Sequence, residues 1–260
     1  MTKSKENFFR LLLIVILIVV ITGCATTKLP VDPKDPYEHI NRKIFDFNMA
    51  LDRAFFRPIA KTYDVVLPWQ MKKGVYNFFN NIGDVTSAAN ELLQLDFPQT
   101  IADLARVVIN TTIGIGGLFD VATRLGVERD AEDFGITLGH WGAKDTPYIM
   151  LPFFGPSTVR DAVGLPINYF LLSPWAYINS LEAQYAAAGL YYVQRRATLL
   201  IGDDLIDQAF DPYVFIRDAY LQRRNFMIDE NNERRVHNYV DEDGIKHRKT
   251  QCLPQGRVTY

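Results

Sequence analysis

Cysteine is nearly absent from this chain of 260 residues: only Cys24 and Cys252 are present. The N-terminal pattern described below consumes Cys24, so Cys252, in a polar tail, has no intramolecular partner. No disulfide framework and no paired-cysteine metal knuckle can therefore hold the fold. Histidine is equally sparse. His39, His140, His237 and His247 share no ligand-like spacing, and Asp203, Asp204 and Asp207 do not match a calcium-loop pattern. An excess of charge of one sign is missing too. The chain has 28 basic and 30 acidic residues, a net charge of −2, which leaves no electrostatic footprint for nucleic acid. No G-x-S-x-G elbow occurs. Gly114-Ile115-Gly116-Gly117 follows a helical pattern rather than a strand and lacks the Lys-Ser/Thr pair of a phosphate loop. These absences imply a protein that is not an enzyme and carries no cofactor or metal. Sustained alternation with β-branched residues is lacking as well, so few strands are expected.

What is present begins at the N-terminus. Lys3, Lys5 and Arg10 form a positive region, and Leu11 to Ile21 is an uncharged apolar run. Small residues then lead through Gly23 into Cys24. The run is too short to span a bilayer, and this layout is that of a secretory signal of residues 1–23. A cysteine after a small residue at the cleavage point is the bacterial lipobox, which makes Cys24 the lipidation site. One acyl chain holds a protein only marginally, whereas several make the attachment effectively permanent. Ala25 stands where an Asp would signal inner-membrane retention, which favours the outer membrane. Residues 24–34 read as a tether.

The punctuation that follows is helical. Asp35-Pro36-Tyr37-Glu38 reads as N-cap, Pro at N1 and an acidic N3. Tyr37, Ile40, Ile44, Phe47, Leu51 and Ala54 recur at three and four until Arg57-Pro58 interrupts. Further helices are expected over Trp69 to Phe79, Asp84 to Leu95, and Pro98 to Thr112, the last with Ile101, Leu104, Ala105, Val108 and Ile109 on one side. Residues 113–156 are glycine-rich and predict turns with one brief helix near Leu118 to Leu125. Ser157 reads as the cap of a short helix, Pro166 and Pro174 as breaks, Leu181 to Leu205 as a long helix, and Asp211-Pro212 as the start of the last. From Asp229 to Tyr260 few large apolar residues remain, and the stretch reads as a mobile polar tail. Trp69, Trp141 and Trp175 fit either an aromatic core or a membrane-facing belt.

Four separated blocks carry a resemblance. The first is Asp35-Pro36-Tyr37-Glu38 with Asn41-Arg42 and Phe47-Asn48. The second is Arg106 to Asp120, including Asn110-Thr111-Thr112-Ile113-Gly114. The third holds Phe134-Gly135, Leu138-Gly139-His140-Trp141-Gly142, Pro147-Tyr148, Leu151-Pro152-Phe153 and Arg160-Asp161. The fourth is Asp211-Pro212-Tyr213 with Arg217-Asp218-Ala219-Tyr220 and Gln222-Arg223. In this order they resemble the MlaA family of outer-membrane lipoproteins, also called VacJ. The resemblance implies an all-α fold: a single mostly helical, ring-like domain over residues 35–228, embedded in the inner leaflet of the outer membrane around an amphipathic passage. It also implies removal of phospholipid that has strayed into the outer leaflet, work beside a trimeric porin, and hand-over to a periplasmic carrier of the MlaC type. Two other readings stand beside it: a lipoprotein that scaffolds porins without transport, and a phospholipase, for which no nucleophile and base are found.

Site residues follow from pattern and resemblance together. Asn41 and Asn48, seven apart on one helix face, and Phe47 are assigned to the passage or its gate, against the alternative that the asparagines are only solvated. Gly139 and Gly142, with Pro147 and Pro152 bounding the same stretch, are assigned to a swinging gate, against a rigid tight-turn loop. Ile113, Ile115, Leu118 and Phe119 are assigned to membrane or porin contact, against buried loop packing.

Overall fold

The computed structural model describes residues 32–240, with side chains described as far as Asp229. The signal segment, Cys24, most of the tether and the tail from residue 241 onward, with Cys252, lie outside the described residues. The described residues from Lys34 onward form one compact unit. It is helical apart from one two-stranded antiparallel sheet. The all-α expectation holds, and among the described residues no helix is long and apolar enough to cross a membrane.

Helix α1 spans Glu38–Leu51 and passes without a break through a π-turn, Asp52–Phe56, into α2, Arg57–Val66. The break expected at Arg57-Pro58 is therefore absent. Proline removes an N–H and crowds the preceding turn, and the wider π-turn just ahead of Pro58 accommodates both effects. The two helices expected over 69–95 are one, α3, Trp69–Leu93. Asp84 does not cap a second helix, because its carboxylate is buried and accepts from two arginines instead. Helix α4, Phe97–Thr112, is capped by Asp96, which accepts from Gln99 N, and it pairs extensively with α3.

The glycine-rich stretch holds more helix than its composition predicts. Asp120 caps the single turn α5, Val121–Arg124, and Asp133 caps α6, Phe134–His140. Strands β1, Tyr148–Leu151, and β2, Gly155–Thr158, pair with Tyr148 opposite Thr158 and Leu151 opposite Gly155. Ser157 lies in β2 and is not a cap; its neighbour Thr158 caps α7, Val159–Ile167. Pro166 is held inside α7, again beside a π-turn, Asn168–Leu172. Helix α8, Leu181–Leu199, gives way to a tight turn at Leu200–Gly202 and to α9, Asp203–Gln208. Asp211 caps the last helix, α10, accepting from Tyr213 N and Val214 N as Asp-Pro predicts. That helix runs Pro212–Val240, so the segment expected as mobile from Asp229 starts as helix.

Apolar packing concentrates where β1 meets α1 and α10. Phe45, Tyr148, Met150 and Tyr213 form a buried cluster, with Phe45 and Tyr213 edge-to-face at 5.6 Å. Of the tryptophans, Trp175 packs on Phe79 at 5.6 Å, while Trp69 and Trp141 stand exposed.

Candidate functional site

Helices α3 and α4 reverse the usual amphipathic arrangement. On α4 the buried positions are Thr100, Asp103, Arg106 and Asn110, spaced three, three and four apart, so they form one face of the helix. The apolar stripe read from the sequence is the outer face: Ile101, Leu104 and Val108 are exposed, Ile101 at 67%. On α3 the buried set includes Asn81, Asp84, Ser87, Asn90 and Glu91, while Tyr76, Leu92 and Leu93 are exposed. Polar and charged side chains outnumber apolar ones among the buried residues described. In water such helices would bury the opposite faces.

Ion pairs organise this polar seam. Arg106, 1% exposed, donates from Nε to Asp84 Oδ2 at 3.0 Å, from Nη1 to Thr123 Oγ1 at 2.9 Å and to the Val127 carbonyl, and from Nη2 to Asp120 at 3.3 Å. Arg129 Nε donates to the other Asp84 oxygen at 2.6 Å. Asn110 accepts from Val121 N and Ala122 N through Oδ1 and donates to Asp120, which ties the end of α4 to α5. Desolvation works to raise the Asp120 pKa. Hydrogen bonds from Thr123, the Arg106 charge and the Asn110 amide outweigh it, and the net shift is downward. Sequence reasoning missed this constellation. Its signal was present: polar residues at helical spacing opposite an apolar stripe.

Asn41 is buried and Asn48 half-buried, and both amides serve as a surrogate strand. Asn41 Nδ2 donates to the Tyr148 carbonyl at 3.2 Å and Oδ1 accepts from Met150 N at 2.9 Å. One helical repeat further on, Asn48 Nδ2 donates to the Leu151 carbonyl at 2.9 Å and Oδ1 accepts from Phe153 N at 2.9 Å. Each amide thus satisfies a donor and an acceptor along the free edge of β1. Asn41 also donates to Asp35 Oδ1 at 2.8 Å, and Asp35 Oδ2 accepts from Tyr213 Oη and Arg217. Asp35, read as an N-cap, is a buried anchor joining α1 to α10. Phe47 is exposed and stacks edge-to-face on Phe153 at the hairpin tip, ring centroids 5.4 Å apart.

The two glycines assigned to a swinging loop have different surroundings. Gly139 is a buried residue of α6, and a Cβ there would come within 2.7 Å of Ile228 Cδ1, so it is a close-approach point between α6 and α10. Gly142 follows the helix with φ +107° and open space around it, which is a C-terminal turn geometry. The stretch around Gly139 is therefore helix, not loop. Gly135 is similarly tight, because a Cβ would meet Asp161 and Arg224, members of an ion network in which Arg224 bridges Asp133 and Asp161.

Ile113, Ile115, Leu118 and Phe119 are all exposed, so the loop after α4 does not bury them. Its backbone donors are used internally, Gly117 N to the Asn110 carbonyl and Phe119 N to that of Gly114. A groove of about 390 Å³ lies elsewhere, lined by Arg53, Arg57, Pro58 and Lys61; another of about 370 Å³ shares Arg53 and reaches Arg42, Asp211 and Tyr213. None of Asn41, Asn48, Gly139 or Gly142 lines either groove.

Comparison with known proteins follows the same outline. Residues 33–227 match the family described as MlaA lipoprotein. An Escherichia coli protein named intermembrane phospholipid transport system lipoprotein MlaA is 32% identical over 213 residues, covering 80% of this chain and 84% of the relative. The Haemophilus influenzae protein of the same name is 30% identical over 219 residues, covering 82% and 87%. A Rickettsia bellii protein is 38% identical over 195 residues, covering 75% and 76%. A solved structure reported under "Structural basis for maintenance of bacterial outer membrane lipid asymmetry" superposes with a TM-score of 0.66 at 34% identity, covering 75% of this chain and 98% of the other.

Proposed function

The chain belongs to the MlaA lipoprotein family, and we propose that it is an outer-membrane lipoprotein that withdraws phospholipid from the outer leaflet and passes it to a periplasmic carrier of the MlaC type. The role in the names of its Escherichia coli and Haemophilus influenzae relatives, intermembrane phospholipid transport, supports this reading. So does the inverted burial of α3 and α4, the observation that carries it: apolar faces turned outward suit a body seated in the inner leaflet rather than free in the periplasm.

Such a protein answers a physical difficulty. A phospholipid with two acyl chains carries about 28 methylenes, and at ~0.8 kcal/mol each, its transfer through water costs on the order of 20 kcal/mol. Moving the phosphate through hydrocarbon is also costly. A protein offering apolar walls to the tails and polar groups to the head group lowers both penalties with no bond made or broken, so the reading is of a transporter rather than an enzyme. Exposed Ile113, Ile115, Leu118 and Phe119 would supply contact with lipid or with the wall of a trimeric porin. Lipid on Cys24 would anchor the chain.

Deletion of the gene, complemented by the wild type, tests this. Outer-leaflet phospholipid should rise on deletion and fall on complementation while porin abundance stays level. Unchanged lipid with reduced porin would point to scaffolding instead, and turnover of phospholipid by the purified protein would point to a lipase. Cys24→Ala should abolish labelling by an alkyne fatty acid and leave the precursor uncleaved; equal labelling of the variant would remove the anchor from the proposal.

A further inference from the structure

The α3–α4 seam contains two acids that its arginines do not serve. Glu91 on α3 and Asp103 on α4 are 1% and 0% exposed. All four of their carboxyl oxygens lack a hydrogen-bond partner among the described residues. The charges around them are mostly of the same sign. Glu91 feels Asp103, Asp130, Glu132 and Asp96, and Asp103 feels Asp84 and Asp130, opposed by Arg106 and Arg129. Those two arginines are already engaged, Arg106 with Asp84, Asp120, Thr123 and the Val127 carbonyl, and Arg129 with Asp84. An ionised carboxylate in such a place would leave its desolvation uncompensated, and one beside a second would add repulsion.

We propose that Glu91 and Asp103 are held as protonated carboxyls inside the closed seam, and that losing those protons loosens the packing of α3 on α4. The pair is thus a pH-responsive joint. Desolvation first, then the Asp103 charge, pushes Glu91 up to about 10; desolvation, then Asp84, pushes Asp103 up to about 8. Because the two acids interact, their titration belongs to the pair. In the unfolded chain both ionise near about pH 4. Between that value and the raised native values the folded chain holds protons that the unfolded chain has released. Stability is therefore fully present below the unfolded range and falls as pH rises through about 8 and 10. Helix α4 runs directly into the exposed loop of Ile113 to Phe119, so loosening of the seam reaches that surface first.

The test uses the full chain in detergent micelles, with melting followed by circular dichroism from about pH 6 to about pH 10. The wild-type Tm should fall across this range by roughly 5 °C or more. A double variant, Glu91→Gln with Asp103→Asn, should lose most of that slope. Parallel slopes in the two proteins would overturn the proposal. So would a wild-type Tm that calcium or magnesium raises near about pH 8 and EDTA lowers, with the variant unresponsive, because the pair would then hold a metal ion rather than protons. If the double variant does not fold, infrared spectra of the wild type with isotope-labelled Asp and Glu decide the matter. A protonated-carboxyl stretch at neutral pH that disappears on alkalinisation supports the proposal, and its absence at neutral pH ends it.

Discussion

Two parts of this molecule are built on opposite plans. Where α1, β1 and α10 meet, aromatic rings are buried in the usual way: Phe45, Tyr148, Met150 and Tyr213 pack together, with Asp35 accepting from Asn41 and from the Tyr213 hydroxyl beside them. Where α3 lies on α4, the ions are inside and the apolar residues outside. The first region is stable by removing hydrocarbon from water. The second cannot be, since its hydrocarbon stays outside; its helices are joined by Arg106, Asp84, Arg129 and Asp120. Water outside would leave Ile101 and Val108 uncompensated, whereas lipid outside removes that cost. The contrast is what the proposed seat of α3–α4 in the inner leaflet rests on.

Arg106→Ala is the strongest way to break this comparison. It removes the partner of Asp84 and Asp120 inside the seam and should cost about 3–5 kcal/mol, because a buried charge is left with too little compensation. Denaturant unfolding in detergent measures it. A loss below about 1 kcal/mol would mean that ions do not hold the seam.

Asn41→Ala acts on the other region. It strips the Met150 N–H, the Tyr148 carbonyl and Asp35 of their partner at once, an expected cost of about 2–3 kcal/mol. Asn48→Ala, nearer the exposed hairpin tip, should cost less. If Asn48→Ala alone alters outer-leaflet phospholipid at normal abundance, the clamp serves transport as well as packing. Equal stability losses in the two variants would show instead that the hairpin tip is as tightly held as its base.

A smaller effect is expected from Gly139→Ala, which forces a methyl against Ile228 and should destabilise by about 1–3 kcal/mol. Pairing it with Ile228→Val tests the contact. Recovery of Tm in the double variant identifies close packing, while lost lipid removal at unchanged Tm would restore a gating role to this segment.

The smallest change in stability belongs to the outer face of α4. Ile101→Asn with Leu104→Asn should move unfolding in detergent by less than about 0.5 kcal/mol each, yet weaken retention on bilayers. Strong destabilisation in detergent would show that these residues pack inside and would undo the contrast between the two regions.

The sequence was most readable where local chemistry decides structure. Asp211, read as an N-cap ahead of Pro212, does cap the last helix, because a carboxylate ahead of free N–H groups works without outside help; Asp96, Asp120 and Asp133 cap helices by the same rule, though no cap was read at them. It was least readable where a distant partner overrides the local rule. Asp35 looks like a cap, but Tyr213 and Arg217 claim it; Asp84 looks like a helix start, but Arg106 and Arg129 draw it inward. Gly139 looks like a hinge until Ile228 is found against it. Asn41 and Asn48 stood out by their seven-residue spacing, yet the edge they pair with is about a hundred residues away, beyond what spacing can show.

By itself, then, the sequence determined the helical class, most helix starts and the family, because these rest on neighbouring residues or on blocks kept in order. Only the tertiary structure decided which face of each helix is inside. Periodicity identifies two faces of α4, one with Ile101 and Leu104 and one with Asp103 and Arg106, but it carries no information about the solvent outside. In water the apolar face turns inward; beside hydrocarbon, with arginines at hand to pair the acids, the polar face does.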